Sequence, residues 1–202
     1  MLSAVGRTGV NAFIALLRGI NVSGRNRIPM AELRSLGVEL GWQDVQTYIQ
    51  SGNLLFAAGG RAASLEAELE RAIEHRFALS IPVLVRAAAE WPAYVEGNPF
   101  SEASRSEPNL VMLALSKAPP KSEAVARLTE RAAGGERIAR VGDALWIHYA
   151  GGSARSKLSP TVLDRFVGSP VTTRNWRTVL KLDEQAGGGG RAAALGEGAS
   201  PR

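Results

Sequence analysis

The chain has no cysteine, so disulfide staples, thiolate nucleophiles and zinc–thiolate sites are all excluded. Imidazole is almost as scarce: His75 and His148 are the only two, too few for a multi-histidine metal site, and the sequence points to no metal and no cofactor. Long apolar runs are missing as well. Ala12–Leu17, six residues and not exceeded elsewhere, is far too short to cross a bilayer, and no positively charged region leads into a long apolar stretch. The expectation is a cytoplasmic protein. Aromatic residues make up 6% of the chain, which leaves no stacking pair of the kind that single-stranded nucleic acid uses. Lysine is reduced to Lys117, Lys121, Lys157 and Lys181, so the formal charge of +5 rests on arginine. Net charge alone speaks to association and says little about chemistry.

Against these absences, 45% of the 202 residues are hydrophobic, enough to bury a core. The first residues, 1–10, read as a lead-in, and the Gly/Ala-rich stretch 185–202 as a disordered tail that cannot pack. The body divides into two halves, 11–105 and 106–184. In the first, Ala12–Leu17 is a buried strand, Pro29 opens a helix over Met30–Leu40, and Val45–Ile49 and Leu54–Ala57 are strands joined by the turn Gln50-Ser51-Gly52-Asn53. Ser64 is placed to cap a helix whose Leu65, Leu69, Ile73 and Phe77 recur at helical spacing, with Glu66, Glu68, Glu70 and Glu74 as its solvated face. Ile81–Val85 is a strand, followed by a short helix over Trp91–Glu96.

The same order then repeats. Leu110–Leu115, Arg137–Val141 and Leu145–Tyr149 read as strands, Ser122–Ala133 and Thr161–Val167 as helices, and Thr178–Leu182 as a last strand. Two βαββαβ halves of this kind give an α+β fold of tandem ferredoxin-like units with antiparallel or mixed sheets. The duplication rests on element order, because residue identity between the halves is low.

Two clusters carry chemical information. From Arg18 to Met30 the chain leaves a strand and enters a helix through glycines and donors, with no acidic residue before Glu32. Such a loop directs backbone N–H groups and a positive helix end towards one spot. Arg18, Asn21, Ser23 and Arg25 are its candidate anion-binding residues, joined by Gln50 and Asn53 from the turn. The second cluster contains Lys157, Arg174 and Asn175, with Asp164 the only acid between Ser153 and Lys181. Arg174 and Asn175 precede the expected last strand, and an Arg fork beside an amide matches sulfate, phosphate or carboxylate. Tyr48, Ser51 and His148 are the candidates for proton transfer, set against the plainer reading of His148 as a structural histidine.

The run Ala15–Phe56, with RGIN at 18–21, the PM-x-EL helix start and TYIQSGN at 47–53, resembles the bacterial family known as the domain of unknown function 1697 family. In the second half Ser156-Lys157-Leu158, Thr172–Trp176 and Thr178–Leu182 resemble its closing motifs. The resemblance implies tandem ferredoxin-like units and carries no assigned activity.

Three functions compete on these residues. One is a small-molecule enzyme whose two clusters meet in a site between the halves, around an anionic ligand. Its chemistry would be cofactor-free elimination or intramolecular cyclisation with loss of sulfate or phosphate. The second is a nucleic-acid-binding module. The third is a sensor that binds a small anion without turnover.

Overall fold

A computed structural model of the chain describes residues 9–22 and 24–188. In chain order it begins with β1 (Asn11–Leu17), α1 (Met30–Glu39), β2 (Gln43–Tyr48), β3 (Asn53–Ala58), α2 (Ala62–Phe77) and β4 (Val83–Ala87). The four strands form one antiparallel sheet in the order β2-β3-β1-β4. β1 is buried at every position from Phe13 to Leu17, so it shows a continuous apolar run in the sequence rather than an alternation. Leu33 and Leu36 of α1 and Leu65, Leu69 and Ile73 of α2 join Phe13, Ala15, Leu17, Leu54, Phe56, Val83 and Val85 in one core. Trp42 closes it by stacking on Phe56 with ring centroids 3.9 Å apart.

The second set of elements is α3 (Trp91–Glu96), α4 (Ser101–Ser106), β5 (Val111–Ser116), α5 (Ala124–Arg131), β6 (Arg137–Val141), β7 (Ala144–His148), α6 (Pro160–Val167), β8 (Val171–Asn175) and α7 (Trp176–Asp183). Its antiparallel sheet runs β6-β7-β5-β8, the same order as the first. The fold is thus α+β, with two four-stranded antiparallel sheets and seven helices among the described residues. Leu128 of α5 and Leu163 and Val167 of α6 pack with Ala114, Leu145, Ile147 and Val171. By strand alternation Trp146 faces the other way, where its ring meets Trp176 edge-on at 5.8 Å. Trp91 is the first residue of α3, and its Nε1–H donates to Val179 O of α7 at 3.0 Å.

The chain divides into two compact units between Ala89 and Glu90. Residues 90–105, counted with the first half in the sequence reading, group with the second unit, where Tyr94 also meets Asp143 at 3.2 Å.

Three local expectations need correction. The expected strand Thr178–Leu182 lies inside helix α7, and the last strand comes earlier, at Val171–Asn175. The Asn175 side chain accepts from Thr178 N–H at 2.9 Å and caps the helix, and the buried positions Trp176, Val179 and Leu182 recur every three residues. Ser64 is no cap: α2 starts at Ala62 after Arg61, and Ser64 lies in its first turn. Nor are all the α2 acids solvated, since Glu66 is buried and both Glu66 and Glu70 accept backbone bonds from β4. The lead-in residues 1–8, Ser23 and tail residues 189–202 lie outside the described residues.

Candidate functional site

In the first unit the residues after β1 fold into a loop fastened by two asparagines. Asn21, at φ +53, donates from Nδ2 to Ile28 O and to Gln50 O, both at 2.9 Å, and its Oδ1 accepts from Ile28 N–H at 3.0 Å. Asn26, at φ +49, donates to Gly19 O at 3.0 Å. Both sit where a short polar side chain tolerates left-handed backbone and ties the turn to itself. The loop is therefore closed on itself and attached to the β2–β3 turn. Arg25 and Arg27 are left exposed on it, and Arg18 stands half-buried at its start.

The β2–β3 turn is anchored just as firmly. Asn53 is fully buried, and its Nδ2 donates to Tyr48 O at 2.9 Å and Ser51 Oγ at 3.2 Å. Gly52 has φ +78, and a Cβ there would lie 2.7 Å from Ile20 Cδ1 and 2.8 Å from Leu17 Cβ. Its carbonyl receives Leu17 N–H at 2.8 Å. The structure thus gathers Arg18, Asn21, Arg25, Gln50, Ser51 and Asn53 around one loop and turn at the end of the first sheet. Tyr48, half-buried, ends the strand beside them. Within that group the amides of Asn21 and Asn53 serve the backbone. The arginines and the exposed Gln50 face solvent to differing degrees.

The second-unit candidates have different settings. Arg174 is 7% exposed in β8, with Nη1 donating at 2.9 Å to both Thr172 Oγ1 and Thr173 O. Burial pulls its guanidinium down to about 10, still cationic at neutral pH. Asn175 is the α7 cap and Lys157 is exposed. His148 is buried in β7. Its Nδ1 faces Arg137, at 3.3 Å from Nε and 3.2 Å from Nη2, and its Nε2 lies 3.0 Å from Glu107 Oε2. Arginine can only donate, so Nδ1 is the acceptor and the ring carries its proton on Nε2, donated to the carboxylate.

Sequence reasoning missed Arg27 and Asn26, although an Asn between two arginines in a Gly-bounded loop was a usable turn signal. It also missed a groove of about 490 Å³ between α1 and α2, lined by Leu36, Glu39, Leu40, Arg71, His75 and Arg76. Arg76 pairs there with Glu39 and, at 3.8 Å, with Glu32, and none of the sequence candidates reaches the groove. Among the described residues no group of three or more His, Asp or Glu could hold a metal ion, and no helix is long and apolar enough to cross a membrane.

Comparison with known proteins matches this geometry to a fold and not to an activity. No curated protein matches the chain. A solved structure, that of the conserved bacterial protein SP0830 from Streptococcus pneumoniae, is similar with a TM-score of 0.65 and 24% sequence identity. The similarity covers 88% of this chain and 99% of that one. The family model described as protein of unknown function (DUF1697) matches residues 10–146, more than half of the chain, and includes both the asparagine-fastened loop and the β2–β3 turn. On that match the chain belongs to the DUF1697 family.

Proposed function

We propose that the first unit recognises a small anionic ligand, a phosphate, sulfate or carboxylate, through Arg18, Arg25 and Arg27. The observation that carries this reading is the loop itself. Asn21 and Asn26 fix its backbone, and the loop segment that carries Arg18, Arg25 and Arg27 contains no acidic residue of its own. A loop already fixed loses little conformational entropy on binding. The first-turn amides of α1 follow directly, after Pro29, with no side-chain cap. The same reading takes each unit as ferredoxin-like, supported by the shared strand order and the βαββαβ succession.

The reading stops at recognition. The Ser51 hydroxyl accepts from Asn53, the Asn21 and Asn53 amides bond to backbone, and both nitrogens of His148 are engaged. No observation carries a proton-transfer step. The test is calorimetric titration with sulfate and with inorganic phosphate. Arg25→Ala and Arg18→Ala should each weaken binding by about ten- to a hundredfold, the effect of losing a charge-assisted contact. Arg→Lys should restore part of it, since the charge returns without the planar fork. Arg127→Ala, which removes an exposed α5 cation paired with Glu130 at 3.6 Å, should be silent. Equal anion responses in the wild type and in both Arg18→Ala and Arg25→Ala would sink the reading.

A further inference from the structure

The two sheets have four edge strands, β2, β4, β6 and β8, and three of them are blunted. In β4 the N–H groups of Val83 and Val85 are closed by Glu70 and Glu66 of α2, both at 2.8 Å. In β8 the N–H of Val171 is closed by Asp164 of α6 at 2.9 Å. β2 has a register shift between Gln43 and Gln46, with Asp44 at φ +52 inside it. These are the devices that keep a sheet from pairing with another chain.

β6 has neither a side-chain carboxylate on its outward N–H groups nor a register shift among the described residues. It pairs with β7 without a shift over all five residues, and the two-residue turn Gly142-Asp143 sets Val141 opposite Ala144. In such a hairpin the backbone groups of Arg137, Ala139 and Val141 point to β7, and those of Ile138 and Arg140 point away from the sheet. Arg137, Arg140 and Val141 are exposed.

We propose that this edge pairs with the same edge of a second copy of the chain, antiparallel about Ala139. In that register Ile138 faces Arg140 of the second copy, so the outward N–H and C=O groups of each satisfy the other. Ala139 faces its own equivalent, where a small side chain suits a close approach. Opposite charges stand on the diagonals: Arg137, which also donates to His148 of its own chain, lies diagonal to the second copy's Asp143, and Arg140, which also donates to Gly142 O and Pro120 O, lies diagonal to its Glu136. The strand and its flanks read Glu136-Arg137-Ile138-Ala139-Arg140-Val141-Gly142-Asp143, with cations inside and acids outside. A hydrogen bond from Ser156 holds the Glu136 carboxyl below its usual range and so anionic. A second copy fits this pattern better than an acidic peptide, because the two flanking acids would repel the peptide.

Five residues make a small interface, so the dimer is weak and concentration-dependent. Sedimentation velocity from about 5 µM to about 500 µM covers the range such an interface gives. The wild type should pass from monomer to dimer. Arg137→Glu with Arg140→Glu in one protein, and Glu136→Arg with Asp143→Arg in another, should each stay monomeric. An equimolar mixture of the two should dimerise. Amide hydrogen exchange on the wild type gives an independent reading should either variant misfold: Ile138 and Arg140 should become protected as concentration rises. A wild type monomeric throughout, or a dimer in which those two amides still exchange freely, would overturn the proposal.

Discussion

The Oε1 of Glu66 accepts the backbone N–H of Val85 at 2.8 Å, so a helix carboxylate serves as the missing neighbour of an edge strand. One turn along α2, Glu70 does the same for Val83. The spacing matches: four helical residues rise about 6 Å, and two strand residues about 6.8 Å. The second unit repeats the device with Asp164 and Val171. Shared strand order and a shared edge device together make the internal repeat a physical one. Glu66→Ala leaves a buried N–H unsatisfied and removes the carboxylate 3.7 Å from Arg86. It should cost about 1–3 kcal/mol in urea denaturation, with Glu66→Gln costing less because an acceptor remains.

Little of this was legible in the sequence. Glu66, Glu68, Glu70 and Glu74 look alike along a helix, and what separates Glu66 and Glu70 is a strand more than ten residues later. The strands β1, β3, β5 and β7 were legible because burial writes itself as apolar runs. α7 was not, because Thr178 and Val179 are β-formers by composition, and the Asn175 cap that overrides them is a single side-chain bond. The residues of the RGIN loop are neighbours in the sequence, so their grouping follows from the chain itself. Their division of labour was hidden, since an asparagine that staples backbone and one that awaits a ligand are the same letter.

That division is testable at Asn21. Asn21→Asp keeps the acceptor for Ile28 N–H but loses both donations, to Ile28 O and Gln50 O. It should destabilise the protein by roughly 1–3 kcal/mol, and the loss should appear as faster amide exchange at Ile28. Gly52→Ala should do at least as much harm, since it adds a Cβ at φ +78 only 2.7 Å from Ile20.

Arg174 tests the sequence reading most directly. Its position beside Asn and Thr suggests a ligand contact whose removal spares the fold. At 7% exposure, bonded to Thr172 and Thr173, it is part of the packed interior. Arg174→Ala should therefore lower the unfolding midpoint strongly, by roughly 2–5 kcal/mol, through a cavity and lost bonds. A variant as stable as the wild type would return Arg174 to the list of ligand residues.

His148 makes a sharper claim than stability. With Arg137 donating to Nδ1, the ring is expected as the Nε2–H tautomer, readable from its nitrogen shifts at mildly alkaline pH. With only His75 as a second histidine, His75→Gln leaves one unambiguous signal. Arg137→Leu should loosen the tautomer preference, and Glu107→Gln should retain it. An Nδ1–H tautomer in the wild type would show that Arg137 does not hold the ring.

At high pH the informative group is Tyr149, whose phenol is pushed up to about 12 by burial, with a smaller push from the Glu136 charge. Its unfolded counterpart ionises near 10, so between those values the folded state keeps a proton that the unfolded state has lost. The stabilisation is complete below about pH 10 and disappears as pH climbs through about 12, a loss on the order of 2–3 kcal/mol. Arg174 works in the opposite sense over the same window. Its folded value is lowered to about 10, so there the unfolded state binds more protons and stability rises with pH. The two trends partly cancel in the wild type and separate in Tyr149→Phe, which keeps the ring and removes the proton. Urea denaturation from about pH 9 to about pH 12 should show the stability of Tyr149→Phe gaining on the wild type as pH rises. A constant difference between the two proteins across that range would mean that the Tyr149 phenol ionises as freely in the folded state as in the unfolded one.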